Sequence, residues 1–173
     1  MEFLCLSDSH GRTKNILEVI SRQVRRPDGI FFLGDGLRDL MYCDILDIPI
    51  YSVAGNCDTS SFYGTLSSDE VGIVNINGIK IMFTHGHLYN VKSSLTHLIY
   101  TAAEKDVDVV LFGHTHTPLE MRIDVDDIDI PRLKKPLYLM NPGSVGGYDG
   151  DFGVLTITNR GEILLSHGKL NPN

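Results

Sequence analysis

The chain predicts an α/β sandwich in one domain, with two sheets packed together and helices outside. Three observations carry the prediction. The first third alternates short buried apolar runs with an amphipathic segment, the rhythm of right-handed crossovers and a largely parallel first sheet. Further on, Asn77-Gly78 and Asn159-Arg160-Gly161 sit between apolar runs as hairpin turns. At 173 residues the chain suits one well-buried domain (1–173) and is short for two. It has no repeat, low-complexity tract or linker.

Taken in order, residues 2–7 (EFLCLS) read as a buried strand ending at Asp8. Thr13 can cap a helix whose Ile16, Leu17, Val19, Ile20 and Val24 form one apolar stripe, broken at Pro27-Asp28-Gly29. Residues 30–33 form a second strand ending at Gly34-Asp35, and residues 48–54 a third ending at Gly55-Asn56. Residues 71–76 and 79–84 flank the first hairpin turn. Residues 91–105 read as a helix with Val91, Leu95, Leu98, Ile99 and Ala102 toward the core. Residues 107–112 are another buried strand, stopping at Gly113-His114. Strict alternation over 118–125 predicts a half-exposed strand. Residues 126–135 are a charged connection, with room for a strand of its own, and Tyr138-Leu139-Met140 leads into Asn141-Pro142-Gly143-Ser144. Residues 152–158 and 163–167 flank the second hairpin turn.

Composition narrows the function. A net charge of −7 argues against nucleic acid and anionic membrane as partners. No apolar run approaches the ~18 residues that span a bilayer. The first ten residues carry Glu2, Asp8 and His10 and lack the basic start of a signal peptide. Cys5, Cys43 and Cys57 make neither a CxxC pair nor an even framework, which fits a reducing, cytoplasmic setting.

Five polar clusters punctuate the apolar runs: Asp8-Ser9-His10, Gly34-Asp35, Gly55-Asn56-Cys57-Asp58, His85-Gly86-His87 and Gly113-His114-Thr115-His116. They hold five of the seven histidines. Aspartate, asparagine and histidine are donors suited to divalent first-row metals. Asp8 and His10 stand two apart, so an extended backbone would project both to one face. The spacing recurs at His85/His87 and His114/His116.

The series DxH, GD, GNxD, H and GHTH from Asp8 through His116, closed by Asn141-Pro142-Gly143-Ser144, resembles the calcineurin-like metallophosphoesterase superfamily. The GNCD form and the closing NPGS look like its small bacterial and archaeal phosphodiesterase branch. The resemblance implies a four-layer α/β/β/α sandwich of two mixed sheets flanked by helices, in agreement with the packed sheets that the apolar runs predict. It also implies two divalent ions. One would be held by Asp8, His10, Asp35 and His116, the other by Asp35, Asn56, His85 and His114, with Asp35 bridging. Manganese is the favoured ion, with nickel, iron or zinc as alternatives. The implied reaction is hydrolysis of a small phosphodiester by metal-activated hydroxide. A phosphomonoesterase would use the same residues. A retromer subunit of similar outline serves instead as a non-catalytic protein scaffold, a reading that decayed ligand positions would favour. A homodimer is an expectation from the resemblance alone.

One position departs from the family pattern. Many members read GNH[ED], and that histidine protonates the leaving group. Here Cys57 stands there, a poor proton donor that reads as a packing residue or, as thiolate, a soft ligand or nucleophile. Asp58 then becomes an acceptor behind the ligands or a helix cap. His87 is the nearest alternative proton donor, with a purely structural loop role as the competing reading. Asn141 and Ser144 either touch substrate or form a plain turn. His97 and His167 read as structural. The acidic stretch 124–129 reads as a solvated strand edge, with recruitment of an extra cation as the competing reading.

Overall fold

The structure is a computed structural model that describes residues 1–43, 45, 47–60, 63–125, 130 and 132–171. Ten strands make two five-stranded sheets. The first contains β1 (Glu2–Leu6), β2 (Gly29–Phe32), β3 (Ile50–Ser52), β9 (Asp151–Ile157) and β10 (Ile163–Lys169), in the order β10-β9-β1-β2-β3. β1, β2 and β3 are parallel, and β9 runs antiparallel to both β1 and β10. The second contains β4 (Val71–Ile76), β5 (Ile79–Thr84), β6 (Val109–Phe112), β7 (Leu119–Ile123) and β8 (Leu137–Asn141), in the order β4-β5-β6-β8-β7. Its centre, β5-β6-β8, is parallel, and β4 and β7 are antiparallel edges.

Side-chain alternation on the strands builds the four layers. Phe3 and Cys5 of β1 join Phe31, Ile81, Leu111 and Met140 in a core between the sheets. Leu4 and Leu6 point the other way, onto Ile16 and Val19 of α1 (Thr13–Ser21) and Leu37 and Leu40 of α2 (Leu37–Met41). Met82, Val110 and Leu139 face outward from the second sheet onto Leu98, Ile99 and Ala102 of α3 (Thr96–Glu104). Near-continuous burial of β1, β2 and β6 follows, because each is covered on both faces. The Asn77-Gly78 turn has φ of 50° and 85°, the two left-handed residues that a twisted two-residue hairpin needs.

Several expectations are corrected. Thr13 is the first helical residue rather than a cap, and α1 stops at Ser21, so Val24 is fully exposed and Leu17 lies at the surface. α2 was not anticipated: five residues are too few to display a periodicity. α3 begins at Thr96 because the preceding stretch is a 3₁₀ turn, His87–Tyr89, with Asn90 left-handed after it. Val91 is buried nonetheless. The C-terminal hairpin completes the first sheet, a long-range pairing that local pattern does not encode. Residues 126–129 and 131 of the charged connection lie outside the described residues, and Ile130 and residues 132–135 belong to no strand. Among the described residues, no helix is long and apolar enough to cross a membrane.

Candidate metal centre

Each polar cluster follows a strand of a parallel set: β1, β2 and β3 in one sheet, β5 and β6 in the other. Parallel strands release their carboxyl-terminal loops at one edge, where open α/β sheets place ligands. Backbone bonds stitch these loops together. Asp8 N–H donates to Gly34 O, His10 N–H to Asp35 O, and Gly113 N–H to His85 O.

The local conformation differs from the extended one expected. Asp8, His10, Asp35, His114 and His116 have φ of 56°, 44°, 55°, 70° and 58°. Each non-glycine residue in that left-handed region costs roughly 1–2 kcal/mol. Such strain, gathered at one spot, is held by the surrounding fold and marks functional loops. The loops turn tightly rather than alternate, and side chains two apart meet through that turning. Glycine makes the close approach possible. A Cβ on Gly55 would lie 2.1 Å from Asp35 Oδ1, and one on Gly113 would lie 2.0 Å from Ser7 Oγ.

Asp8 sits at the centre, fully buried. Its Oδ2 accepts from Ser7 Oγ at 2.5 Å and from His114 N–H at 3.1 Å. Its Oδ1 is buried with no hydrogen-bond partner, although three imidazole nitrogens surround it. His116 Nε2 is at 3.0 Å, His10 Nε2 at 3.7 Å and His85 Nε2 at 4.0 Å. A buried carboxylate oxygen without a donor is costly unless a cation sits against it. Asp35 is also buried; its Oδ2 lies 3.4 Å from His85 Nε2, and its Oδ1 accepts from Cys57 N–H at 2.7 Å. His85 Nδ1 donates to Leu33 O at 2.7 Å, which directs the Nε2 lone pair into the site. His114 Nδ1 is 3.1 Å from His85 Nε2, and His10 Nε2 is 3.2 Å from His116 Nε2.

Charge follows from this packing. Burial alone would raise Asp35, but His85 and the Cys57 amide outweigh it and hold the carboxyl well below its usual range. Burial alone would lower His85, yet Asp35 and Asp8 push it up. His114 is held down to about 4 by burial, with the charges of His85 and Lys92 adding to it. A ring kept neutral at ordinary pH keeps a lone pair for a cation.

Asp8, His10 and His116 each offer a donor atom within 4.8 Å of one another, and so do Asp8, Asp35 and His85. Oxygen and imidazole donors around an orphaned carboxylate fit divalent metal ions. The sequence-predicted positions Asp8, His10, Asp35, His85, His114 and His116 are thus brought together. Asn56 is exposed, with its amide donating to Cys57 Sγ at 3.4 Å. His87 lies beside the group, its ring centroid 5.5 Å from His85 and 6.2 Å from His114. Its Nε2 is 3.5 Å from Glu70 Oε1, and its Nδ1 is buried without a partner.

Residues 1–160 match the calcineurin-like phosphoesterase superfamily domain. The chain belongs to that superfamily. It is 29% identical over 141 residues to the probable metallophosphoesterase YsnB of Bacillus subtilis, covering 78% of this chain and 79% of YsnB. It is 30% identical over 142 residues to the probable metallophosphoesterase MJ0623 of Methanocaldococcus jannaschii, covering 80% and 65% of the two chains. Among solved structures, an archaeal phosphodiesterase superposes with a TM-score of 0.72 at 23% identity, covering 98% of this chain and 100% of that one. Vps29 of Entamoeba histolytica, in complex with zinc, superposes with a TM-score of 0.65 at 20% identity over 99% and 100%. These two likenesses show the fold.

The calcineurin-like loops are braced by residues that sequence reading left undecided or missed. Asp58 accepts from the N–H groups of Asp35 (2.8 Å), Gly36 (3.0 Å), Leu37 (3.0 Å) and Gly55 (2.9 Å). It therefore caps α2 and clamps two of the loops. Asn141 and Ser144 are buried and hold backbone. Asn141 Nδ2 donates to Gly113 O and Thr115 Oγ1, and Ser144 Oγ donates to Asp8 O. His167 ties the sheets together, with Nδ1 2.6 Å from Glu120 Oε1 and Nε2 2.6 Å from Asn141 O. Exposed His97 packs against Tyr89 and makes no contact with the clustered imidazoles. Asp39 accepts from Ser9 Oγ and Gly11 N–H and had no sequence signal at all. Ser7, which closes the first apolar run, donates to Asp8 Oδ2 with no sequence signal for that role.

Proposed function

We propose that this chain is a two-metal phosphodiesterase that hydrolyses small phosphodiesters by direct attack of water on phosphorus, without a covalent enzyme intermediate. The observation that carries the reading is Asp8 Oδ1, buried, unpartnered and ringed by three imidazoles. Asp8, His10, Asp35 and His116 would hold one ion; Asp35, Asn56, His85 and His114 would hold the other. Two divalent ions held there would supply Lewis-acid chemistry, lowering the pKa of water from ~15.7 toward ~7 and stabilising charge on the reacting phosphate. Manganese suits the oxygen-rich part of this donor set.

The chain supplies the rest. Asp35 would serve both positions with its carboxylate, and Asp58 fixes the loop that carries it. Asn56 offers a neutral carbonyl oxygen, so it adds a donor without cancelling positive charge. Two carboxylates against two divalent ions leave the site positive, ready for a phosphodiester anion. His87 is the proton donor to the leaving oxygen in this reading, since Cys57 stands where many superfamily members have histidine. The three free cysteines agree with action in the cytoplasm.

The test is hydrolysis of bis(4-nitrophenyl) phosphate and 4-nitrophenyl phosphate by the manganese-loaded chain, beside its Asp35→Asn variant. The reading expects faster diester hydrolysis, with the variant at background. Faster monoester hydrolysis would make the protein a phosphomonoesterase. Metal bound without turnover of either ester would favour the scaffold.

A further inference from the structure

Cys57 has no part in the hydrolytic reading, yet it stands exposed among donors that suit a cation. Its Sγ, one nitrogen of His10 and one carboxylate oxygen of Asp35 all lie within 4.8 Å of one another. Metal–sulfur bonds of about 2.3 Å and metal–nitrogen or metal–oxygen bonds of about 2.0–2.2 Å bring such donors to similar separations around one ion. The backbone is fixed there: Cys57 N–H donates to Asp35 Oδ1 at 2.7 Å, and Asp58 holds the same turn. His10 also belongs to the triad with Asp8 and His116, and fully buried Asp8 Oδ1 points, without a partner, into that triad. Two overlapping donor sets thus share His10. A second contact fits: Asn56 Nδ2 donates to Cys57 Sγ at 3.4 Å, which leaves Asn56 Oδ1 as the free acceptor of that amide.

We infer that Cys57 Sγ is a direct ligand of the ion held by His10 and Asp35, which makes that position softer than its partner and suits it to zinc or ferrous iron. The inference rests on the two-metal reading. Thiolate sulfur prefers softer ions, whereas the second position, with Asp35, Asn56 and two imidazoles, keeps the harder character that manganese accepts. As the metal–sulfur bond forms, the thiol proton passes to the solvent buffer; nothing is oxidised or reduced. The pair would then be unlike, with a soft ion beside the thiolate and a hard ion beside the amide oxygen.

Cobalt(II) is the probe, added to the whole chain and to Cys57→Ser. Visible d–d absorption reports binding, and a near-ultraviolet sulfur-to-cobalt band reports a thiolate ligand. Cys5 is buried in the core between the sheets, and Cys43 donates to Asp39 O, so neither competes for the signal. The expected result is both signals in the wild type, and loss of the near-ultraviolet band alone in Cys57→Ser. Zinc affinity should fall about tenfold or more in the variant, while manganese affinity stays within about threefold. Visible bands without the near-ultraviolet band in the wild type would overturn the inference. So would persistence of that band in the variant, or an equal loss of zinc and manganese affinity. Absence of visible bands from the wild type would instead sink the metal centre itself.

Discussion

Replacing Asp58 by alanine removes one carboxylate and strands four backbone donors. Those N–H groups, of Asp35, Gly36, Leu37 and Gly55, lie 2.8–3.0 Å from the two carboxylate oxygens. A hydrogen bond to a charged group contributes about 1.5–3 kcal/mol net. Asp58 is only half-buried, so water takes over part of the work. An overall loss of about 3 kcal/mol is the reasonable expectation, since four bonds at full strength would exceed what single substitutions usually cost. For a chain of this size that loss lowers Tm by about 6–12 °C. Asp58→Asn keeps one acceptor oxygen and places an N–H₂ against the remaining donors, so it should lose nearly as much. Urea unfolding of the metal-free protein measures the effect, with an unchanged m-value as the check on two-state behaviour. Metal affinity should fall as well, because Asp35 rides on the clamped loop. A loss under about 0.5 kcal/mol, the range of ordinary surface changes, would refute the idea that Asp58 organises the loops.

Other predictions follow from the same contacts. Asn141→Ala releases Gly113 O and Thr115 Oγ1 and should cost about 2–3 kcal/mol of stability with weaker metal binding, read by denaturation and calorimetry. Gly113→Ala drives a methyl to 3.0 Å from Asp8 Oδ2 and 2.0 Å from Ser7 Oγ, so metal content of the purified protein should drop even where it folds. His114 is depressed in the fold from 6.5 to about 4, so the unfolded chain binds its proton first. The part of metal-free stability that rests on neutral His114 is therefore full above pH ~6.5 and declines as pH falls toward about 4, and His114→Gln should remove that part of the decline. Cys57 stands where family members carry a histidine donor, and His87, with Nε2 3.5 Å from Glu70 Oε1, would protonate the leaving oxygen only weakly, so ester hydrolysis should slow as the leaving-group pKa rises. A flat dependence would contradict weak general-acid assistance.

Much of this was readable from the residues. Strand–helix alternation and the hairpin turns gave the layers, because buried parallel strands and two-residue turns leave local signatures. The cluster positions at strand ends were correct for the same reason. What the sequence concealed is non-local or conformational. The left-handed backbone at Asp8, His10, Asp35, His114 and His116 leaves no mark in their identities, so the extended geometry inferred from DxH and HxH was wrong. Placement of β9 and β10 in the first sheet depends on pairing with residues about 150 positions away. The roles of Asn141 and Ser144 stayed open because an NPGS turn looks alike whether it touches substrate or braces another loop. Asp39 joins the site only through α2, a helix too short to foresee.

The most direct measurement is the metal content of the purified chain after equilibrium loading, beside Asp8→Asn. Close to two divalent ions per wild-type chain, falling sharply in the variant, is the outcome the account predicts. Less than one ion per folded wild-type chain at saturating metal would contradict it.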